Sequence, residues 1–252
     1  MIISEPESRH MAGLRNLWKA AFGDGDDFLD MFYTTAYAPH RCRCILDGDR
    51  VAAVLYWFDC SCEGRKLAYI YAVATDPAYR NRGLCRLLMD DTALHLKICG
   101  YACALLRPQE EGLWKMYGKM GYIPATCIRE FTCQAAGEPI MLTELSAEAY
   151  ARLRKTMLPP GGVLQEDENL SYLAGYAKFY QGPGFLLTAF PDGNRLIGCE
   201  ILGDVTKAPA VLLTLGLESG TFRCPGSENN FTMYLPLMEN PPKPEYFAFV
   251  FD

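Results

Sequence analysis

Residues 76–89 read DPAYRNRGLCRLLM, and the parse of the whole chain turns on them. An apolar run, LAYIYAVAT (67–75), leads directly into this stretch, and an amphipathic run leaves it. Asp-Pro is turn chemistry, because proline pushes the residue before it away from helical geometry. The residues after it predict a helix over 83–99. The first turn of a helix exposes N–H groups with no intrahelical partner, and it carries partial positive charge. A phosphate or pyrophosphate satisfies those donors. Gly83, lacking a Cβ, permits close approach, while Arg80 and Arg82 add full positive charge. On these residues alone the stretch reads equally as an ordinary surface loop with solvated arginines. Two other phosphate motifs do not fit. A P-loop needs an earlier glycine and a Lys-Ser or Lys-Thr pair, and a dinucleotide fingerprint needs three spaced glycines.

Working outward, upstream lie a short strand at 2–4, a helix at 9–22 and a second helix, DDFLDMFYTTAY (26–37). A hairpin follows, with strands at 41–46 and 50–60 turning at Asp47-Gly48-Asp49. Downstream, the helix places Leu84, Leu87, Leu88, Leu94 and Ile98 on one broad face, and Gly100 is suited to its C-terminal cap. A strand, YACALLR (101–107), a short helix over 112–120 and one or two strands within 122–133 complete the first half.

The bulk properties narrow the field. The chain has 252 residues, half of them hydrophobic, enough for a substantial core. Its net charge of −6 argues against nucleic acid or an anionic membrane as the general partner. MIISEPESRH has no signal-peptide pattern, and no apolar run approaches the ~18 residues of a membrane span. A cytoplasmic protein is expected, with its eleven cysteines reduced. Cys42/Cys44 and Cys60/Cys62 invite a zinc reading. If Leu46 faces Arg50 across the hairpin, however, Cys42 faces Val54, and Cys60 lies about 20 Å further along the strand. One tetrahedral site cannot bridge that distance, so no metal is expected.

At QAAGEP (134–139) the composition turns small and polar, which places domains at 1–135 and 138–252. The second half repeats the first in outline. SEPESRHMAGLR (4–15) aligns on TELSAEAYARLR (143–154), and DGDRVAAVL (47–55) aligns on DGNRLIGCE (192–200). TFRCPGSENN (221–230) stands where a second phosphate loop would be sought, but Pro225 before Gly226 removes a donor amide. The second half reads as a degenerate copy.

One more stretch, LRPQEEGLWKMYGKMGY (106–122), completes the pattern. Together with 73–86 it resembles the GCN5-related N-acetyltransferases (GNATs), whose signature is Arg/Gln-x-x-Gly-x-Gly/Ala after a strand. The matching positions are Arg80, Gly83 and Cys85, with cysteine where glycine or alanine is usual. The tandem halves and MYGKMGYIPAT (116–126) look most like the enhanced-intracellular-survival type. The resemblance implies an α+β layered fold with a central mixed, mostly antiparallel sheet, followed by a degenerate GNAT-like half that walls off the acceptor.

It implies acetyl-CoA as acyl donor and direct attack by a primary amine of a small molecule or peptide. Arg80, Asn81, Arg82, Gly83, Leu84, Cys85 and Arg86 would hold the pyrophosphate. The backbone of Val73, Ala74 and Thr75 would pair with the pantetheine arm, and Tyr117 would protonate the departing thiolate. For the base, Glu110, Glu111 and the terminal carboxylate at Asp252 are candidates; the glutamates read equally as a solvated helix start. Asp24, Asp26, Asp27 and Asp30 could draw in a cationic amine, or could simply cap their helix. A homodimer is compatible with the strand-rich halves. The other readings are a non-catalytic CoA-binding module and an acyltransferase using a different acyl-CoA.

Overall fold

The computed structural model describes residues 1–251. The chain forms two compact units, and neither is one stretch of sequence. The first comprises Met1–Ile123 and Met233–Pro242; the second comprises Pro124–Thr232 and the segment that begins at Lys243. The cut expected between 135 and 138 falls inside the second unit.

The first unit runs β1 (Ile2–Ser4), α1 (Met11–Phe22), α2 (Asp26–Thr35), β2 (Cys42–Asp47), β3 (Arg50–Cys62), β4 (Arg65–Thr75), α3 (Leu84–Ile98), β5 (Cys103–Leu106), α4 (Glu111–Gly118) and β6 (Ile123–Pro124). The second holds β7 (Cys127–Gln134), β8 (Thr143–Leu145), α5 (Ala147–Met157), α6 (Glu168–Leu173), β9 (Lys178–Gly182), β10 (Phe185–Asp192), β11 (Arg195–Gly203), α7 (Ala208–Leu215), β12 (Ser219–Pro225) and β13 (Asn229–Asn230). The last strand, β14 (Met233–Pro236), returns to the first unit.

The two sheets share one topology. Their orders are β1-β2-β3-β4-β5-β14-β6 and, reading the second from its other edge, β8-β9-β10-β11-β12-β7-β13. In both, the fourth and fifth strands of the order run parallel, as β4 with β5 and β11 with β12. Each sheet takes its sixth strand from the other half of the sequence: β7 pairs with β12, and β14 pairs with β5. The two halves are thus architectural repeats that exchange a strand.

This topology corrects two details of the repeat. By strand order, the β2–β3 turn at 47–50 corresponds to the β9–β10 turn at 182–185. The Asp192–Arg195 turn corresponds instead to the one between β3 and β4. The DGDR and DGNR turns match in sequence because both close two-residue hairpins, each with a positive-φ glycine, Gly48 and Gly193. The counterpart of the β4–α3 connection, where a phosphate loop was expected, is likewise the β11–α7 connection at 204–207. The first half of TFRCPGSENN ends β12, the equivalent of β5, and its last two residues form β13.

Strand β3 is apolar along its length because both faces of the sheet are covered. Leu55 and Trp57 pack in one cluster with Leu84, Leu88, Met89 and Leu96 of α3. Tyr56 and Phe58 face the other way; Tyr56 lies 5.3 Å from Trp18 of α1, and Phe58 lies 6.3 Å from Phe32 of α2. The hairpin register differs from the expected one. Asp47 pairs with Arg50, a bulge follows, and Cys42 faces Tyr56 rather than Val54. The buried face of α3 also differs. Leu84, Leu88, Met89, Thr92 and Leu96 form it, while Leu87, Leu94 and Ile98 are exposed. An i, i+4 row rides on the sheet, and Thr92 is accommodated by donating its hydroxyl to Leu88 O.

Candidate active site

Strand β4 sets the frame. Its parallel ladder with β5 covers only Leu67–Cys103, Ala68–Ala104 and Tyr69–Leu105. Beyond Tyr69 it runs on to Thr75 in register with β3, through a bulge that places Ala72 and Val73 opposite Leu55. Ala72 takes a φ of 48° there. A bulge increases local twist, and the parallel pairing stops just ahead of it. Within this segment Ala74 is buried, and Val73 and Thr75 are half-buried. The segment expected to lie along the pantetheine arm is therefore the part of β4 beyond its last rung to β5.

The chain then makes a 3-10 turn at Pro77–Tyr79 and enters α3 through Arg80–Gly83. Asn81 and Gly83 both take left-handed backbone, with φ of 61° and 74°. Gly83 is the helix N-cap, and no side chain caps it. The first intrahelical bond runs from Leu87 N–H to Gly83 O at 3.0 Å. The N–H groups of Leu84, Cys85 and Arg86 precede it and have no partner among the described residues. A Cβ built on Gly83 would meet nothing within 4 Å. Alternating left-handed residues before a helix start form a concave set of amides of the kind that binds anions.

The arginines are only partly free. Arg80 Nε donates to Thr75 O at 3.2 Å, and Arg82 Nη2 donates to Ala78 O at 3.0 Å. Arg86 reaches Lys119 O at 3.2 Å, next to α4. Each guanidinium is steered by a backbone carbonyl, and each of these side chains remains exposed. In the second unit the equivalent connection holds no arginine. Asp204 accepts the Thr206 N–H at 3.1 Å there, and Pro209 sits in the first turn of α7. An acid and a proline stand where the first unit has arginines and open amides.

Tyr117, on the last turn of α4, packs in the same apolar cluster as Leu84 and Leu88, with Val73 and Cys85 at the cluster's edge. Its ring lies 5.8 Å from Tyr122, edge to face. The hydroxyl makes no hydrogen bond to a described residue, and it is not among the polar atoms sealed without a partner. Burial, reinforced by the nearby Cys85 thiol, pushes its pKa well above the usual tyrosine value. It stays protonated through the neutral range, as a proton donor must. Burial also raises the Cys85 thiol, so the residue behaves as a small apolar side chain.

Other sequence candidates fall elsewhere. Glu110 and Glu111 are exposed at the start of α4, and Glu111 pairs with Lys115 at 2.7 Å. Two of the four carboxylates of the acidic cluster are paired with cations. Asp26 binds Lys19 at 2.6 Å and Arg15 at 3.1 Å, Asp30 binds Arg15 at 2.8 Å, and Asp24 accepts the Trp18 indole N–H at 2.8 Å. These carboxylates fasten α2 to α1 and leave Asp27 as the member with no such bond. Asp252 lies outside the described residues. All eleven cysteines are free, and among the described residues no group of His, Cys, Asp and Glu is arranged to hold a metal. No helix among them is long and apolar enough to cross a membrane.

Comparison with known proteins places the fold. Residues 3–125 match the family model described as an acetyltransferase (GNAT) domain. No curated protein matches the chain. Among solved structures, a GCN5-related N-acetyltransferase from Kribbella flavida superposes with a TM-score of 0.71 at 17% identity, covering 94% of this chain and 72% of that one. Eis1 from Mycobacterium abscessus gives 0.66 at 13% identity, with 94% and 74% covered. A putative acetyltransferase from Pyrococcus horikoshii gives 0.63 at 11% identity, with 99% and 94% covered. At these identities the superpositions speak for the fold, and it extends across both halves. The first half of this chain belongs to the GCN5-related N-acetyltransferase superfamily.

Proposed function

We propose that the chain is an acetyl-CoA-dependent N-acetyltransferase whose acceptor is the primary amine of a small molecule or peptide. The observation that carries this reading is the uncapped start of α3, where left-handed Asn81 and Gly83 present amides without partners beside Arg80 and Arg82. The amides of 83–86 take the diphosphate, and the arginines offset its charge. Val73, Ala74 and Thr75 pair along the pantetheine arm where β4 has run past β5. Within this segment, backbone N–H groups are the donors that stabilise the oxyanion formed when the amine attacks the thioester. The amine's extra proton passes to solvent water, the C–S bond breaks, and Tyr117 protonates the departing thiolate and regains its own proton from solvent. Cys85 fits the site because its backbone N–H serves as any other and its side chain is small.

The second unit keeps the strand order but replaces the loop with Asp204–Lys207, so one phosphate grip per chain is expected. Free-thiol release from acetyl-CoA across a panel of amines tests the reading. Amine-dependent release supports it. Binding of CoA without release for any amine would instead make the chain a CoA-binding module. Faster release from a longer acyl-CoA would reassign the donor.

A further inference from the structure

The phosphate loop is tied to a hairpin turn, through a hydrogen bond between residues 32 apart in sequence. Tyr79 ends the 3-10 turn before Arg80 and is 9% exposed. Its hydroxyl donates to Asp47 Oδ2 at 2.7 Å. Two guanidiniums lie over its ring, those of Arg50 and Arg82, each 5.1 Å from the centroid. Arg50 also donates to Asp76 Oδ2, through Nη2 at 2.8 Å and Nε at 3.2 Å. The other oxygen of Asp76 accepts the Ala78 N–H at 2.9 Å, and the Asp76 N–H donates to Ala52 O at 2.9 Å.

Asp47 and Arg50 are the facing pair that closes the β2–β3 turn. The turn therefore grips the loop by two arms, Asp47 to Tyr79 and Arg50 to Asp76. Tyr79 passes the constraint on, because its ring carries the guanidinium of Arg82, whose Nη2 is already fixed on Ala78 O. The loop needs such support. It holds two left-handed residues and gathers like charges at 80, 82 and 86, so without a ligand its bound conformation is costly. A loop ordered before binding gives affinity that a loop ordered by binding does not.

We propose that the Asp47–Arg50 turn is the positioning element of the phosphate loop: Asp47 acting through Tyr79, and Arg50 acting through Asp76, hold Arg82 and the amides of 83–85 ready for the diphosphate of the acyl-CoA. This rests on the acetyl-CoA reading above. The hydrogen bond to Asp47 raises the Tyr79 pKa, which keeps the hydroxyl a donor at neutral pH.

The test is calorimetric titration of CoA into the wild type, Tyr79→Phe, Asp47→Asn and the double variant. Hydrogen exchange of amides 78–85 in the free proteins accompanies it. Each single variant is expected to weaken CoA binding about fivefold, and the double variant no further, because both remove one bond. The kcat at saturating acetyl-CoA is expected to stay within about twofold, so that the loss falls on KM. Loop amides are expected to exchange faster in the variants. Unchanged CoA affinity and unchanged loop exchange in a folded Tyr79→Phe protein would overturn the proposal, whether or not its melting temperature falls. If the wild type takes up no CoA, the acetyl-CoA reading fails instead, and loop exchange alone still decides whether the turn orders the loop.

Discussion

Replacing Tyr117 with phenylalanine separates a chemical role from a packing role. The ring is 93% buried in an apolar cluster, and phenylalanine fills the same volume. The lost hydroxyl leaves no described group without a bond, since it makes none. The substitution should therefore change stability by less than about 0.5 kcal/mol. A general acid in the transition state contributes on the order of 100-fold or more to rate. That corresponds to about 2.7 kcal/mol of barrier, which far exceeds the stability change. The assay is thiol release at saturating acetyl-CoA with a productive amine, alongside a melting curve and a CoA titration. A fall in kcat of about 100-fold, with melting temperature and CoA affinity unchanged, is the expected result. The loss should be smaller with an acyl donor whose thiol leaves readily without a proton, because protonation then matters less. A variant with normal turnover, or one losing CoA affinity and turnover together, would remove Tyr117 from the chemistry.

Three further outcomes are expected. Gly83→Ala meets no protein atom but must hold a φ of 74°; it should cost roughly 1–2 kcal/mol in a melting experiment and weaken CoA binding about tenfold or more, because the new Cβ stands where the phosphate approaches. Cys85, its pKa raised by burial, should alkylate more slowly than exposed Cys99 at about pH 7.5, speed up as pH rises through its elevated pKa, and be shielded by CoA; equal labelling rates would contradict its burial. In the second unit, Arg154 Nε meets Glu200 Oε2 at 2.7 Å with the two side chains 1% and 0% exposed, so Glu200→Ala should destabilise by about 3–5 kcal/mol in denaturant unfolding by leaving a buried cation unpaired.

Most of the first unit could be read from its sequence because its signals are local. The apolar run in 50–60, the Gly48 turn and the Asp76-Pro77 break each act over a few residues, and the observed elements lie close to the expected ones. Periodicity misled on α3, where Leu87, Leu94 and Ile98 are apolar but exposed, and hydrophobicity alone does not say which of two adjacent stripes meets the sheet. The exchange of β7 and β14 was out of reach for a different reason. CIREFTCQ alternates as a strand does in either sheet, and the choice of sheet depends on partners far along the chain.

The site divides in the same way. Arg80, Gly83 and the start of α3 form one short pattern in the sequence, and its reading as a CoA site comes from the resemblance to the GNATs. The tie from Tyr79 to Asp47 joins residues 32 apart, and nothing in either residue type marks it. The acidic run in 24–30 showed the reverse weakness. Its charge was visible, but the partners Arg15 and Lys19 that pair with Asp26 and Asp30 sit one helix earlier. A cluster of one sign informs on ligand charge only after its own counter-ions have been found.

The most direct measurement is hydrogen exchange along the backbone with and without CoA. Slowed exchange centred on amides 81–86, with a lesser effect at 73–75, is expected if the diphosphate sits on the open start of α3. Unchanged exchange at 81–86 under conditions where calorimetry shows CoA bound would place the nucleotide elsewhere and contradict the assignment of this loop.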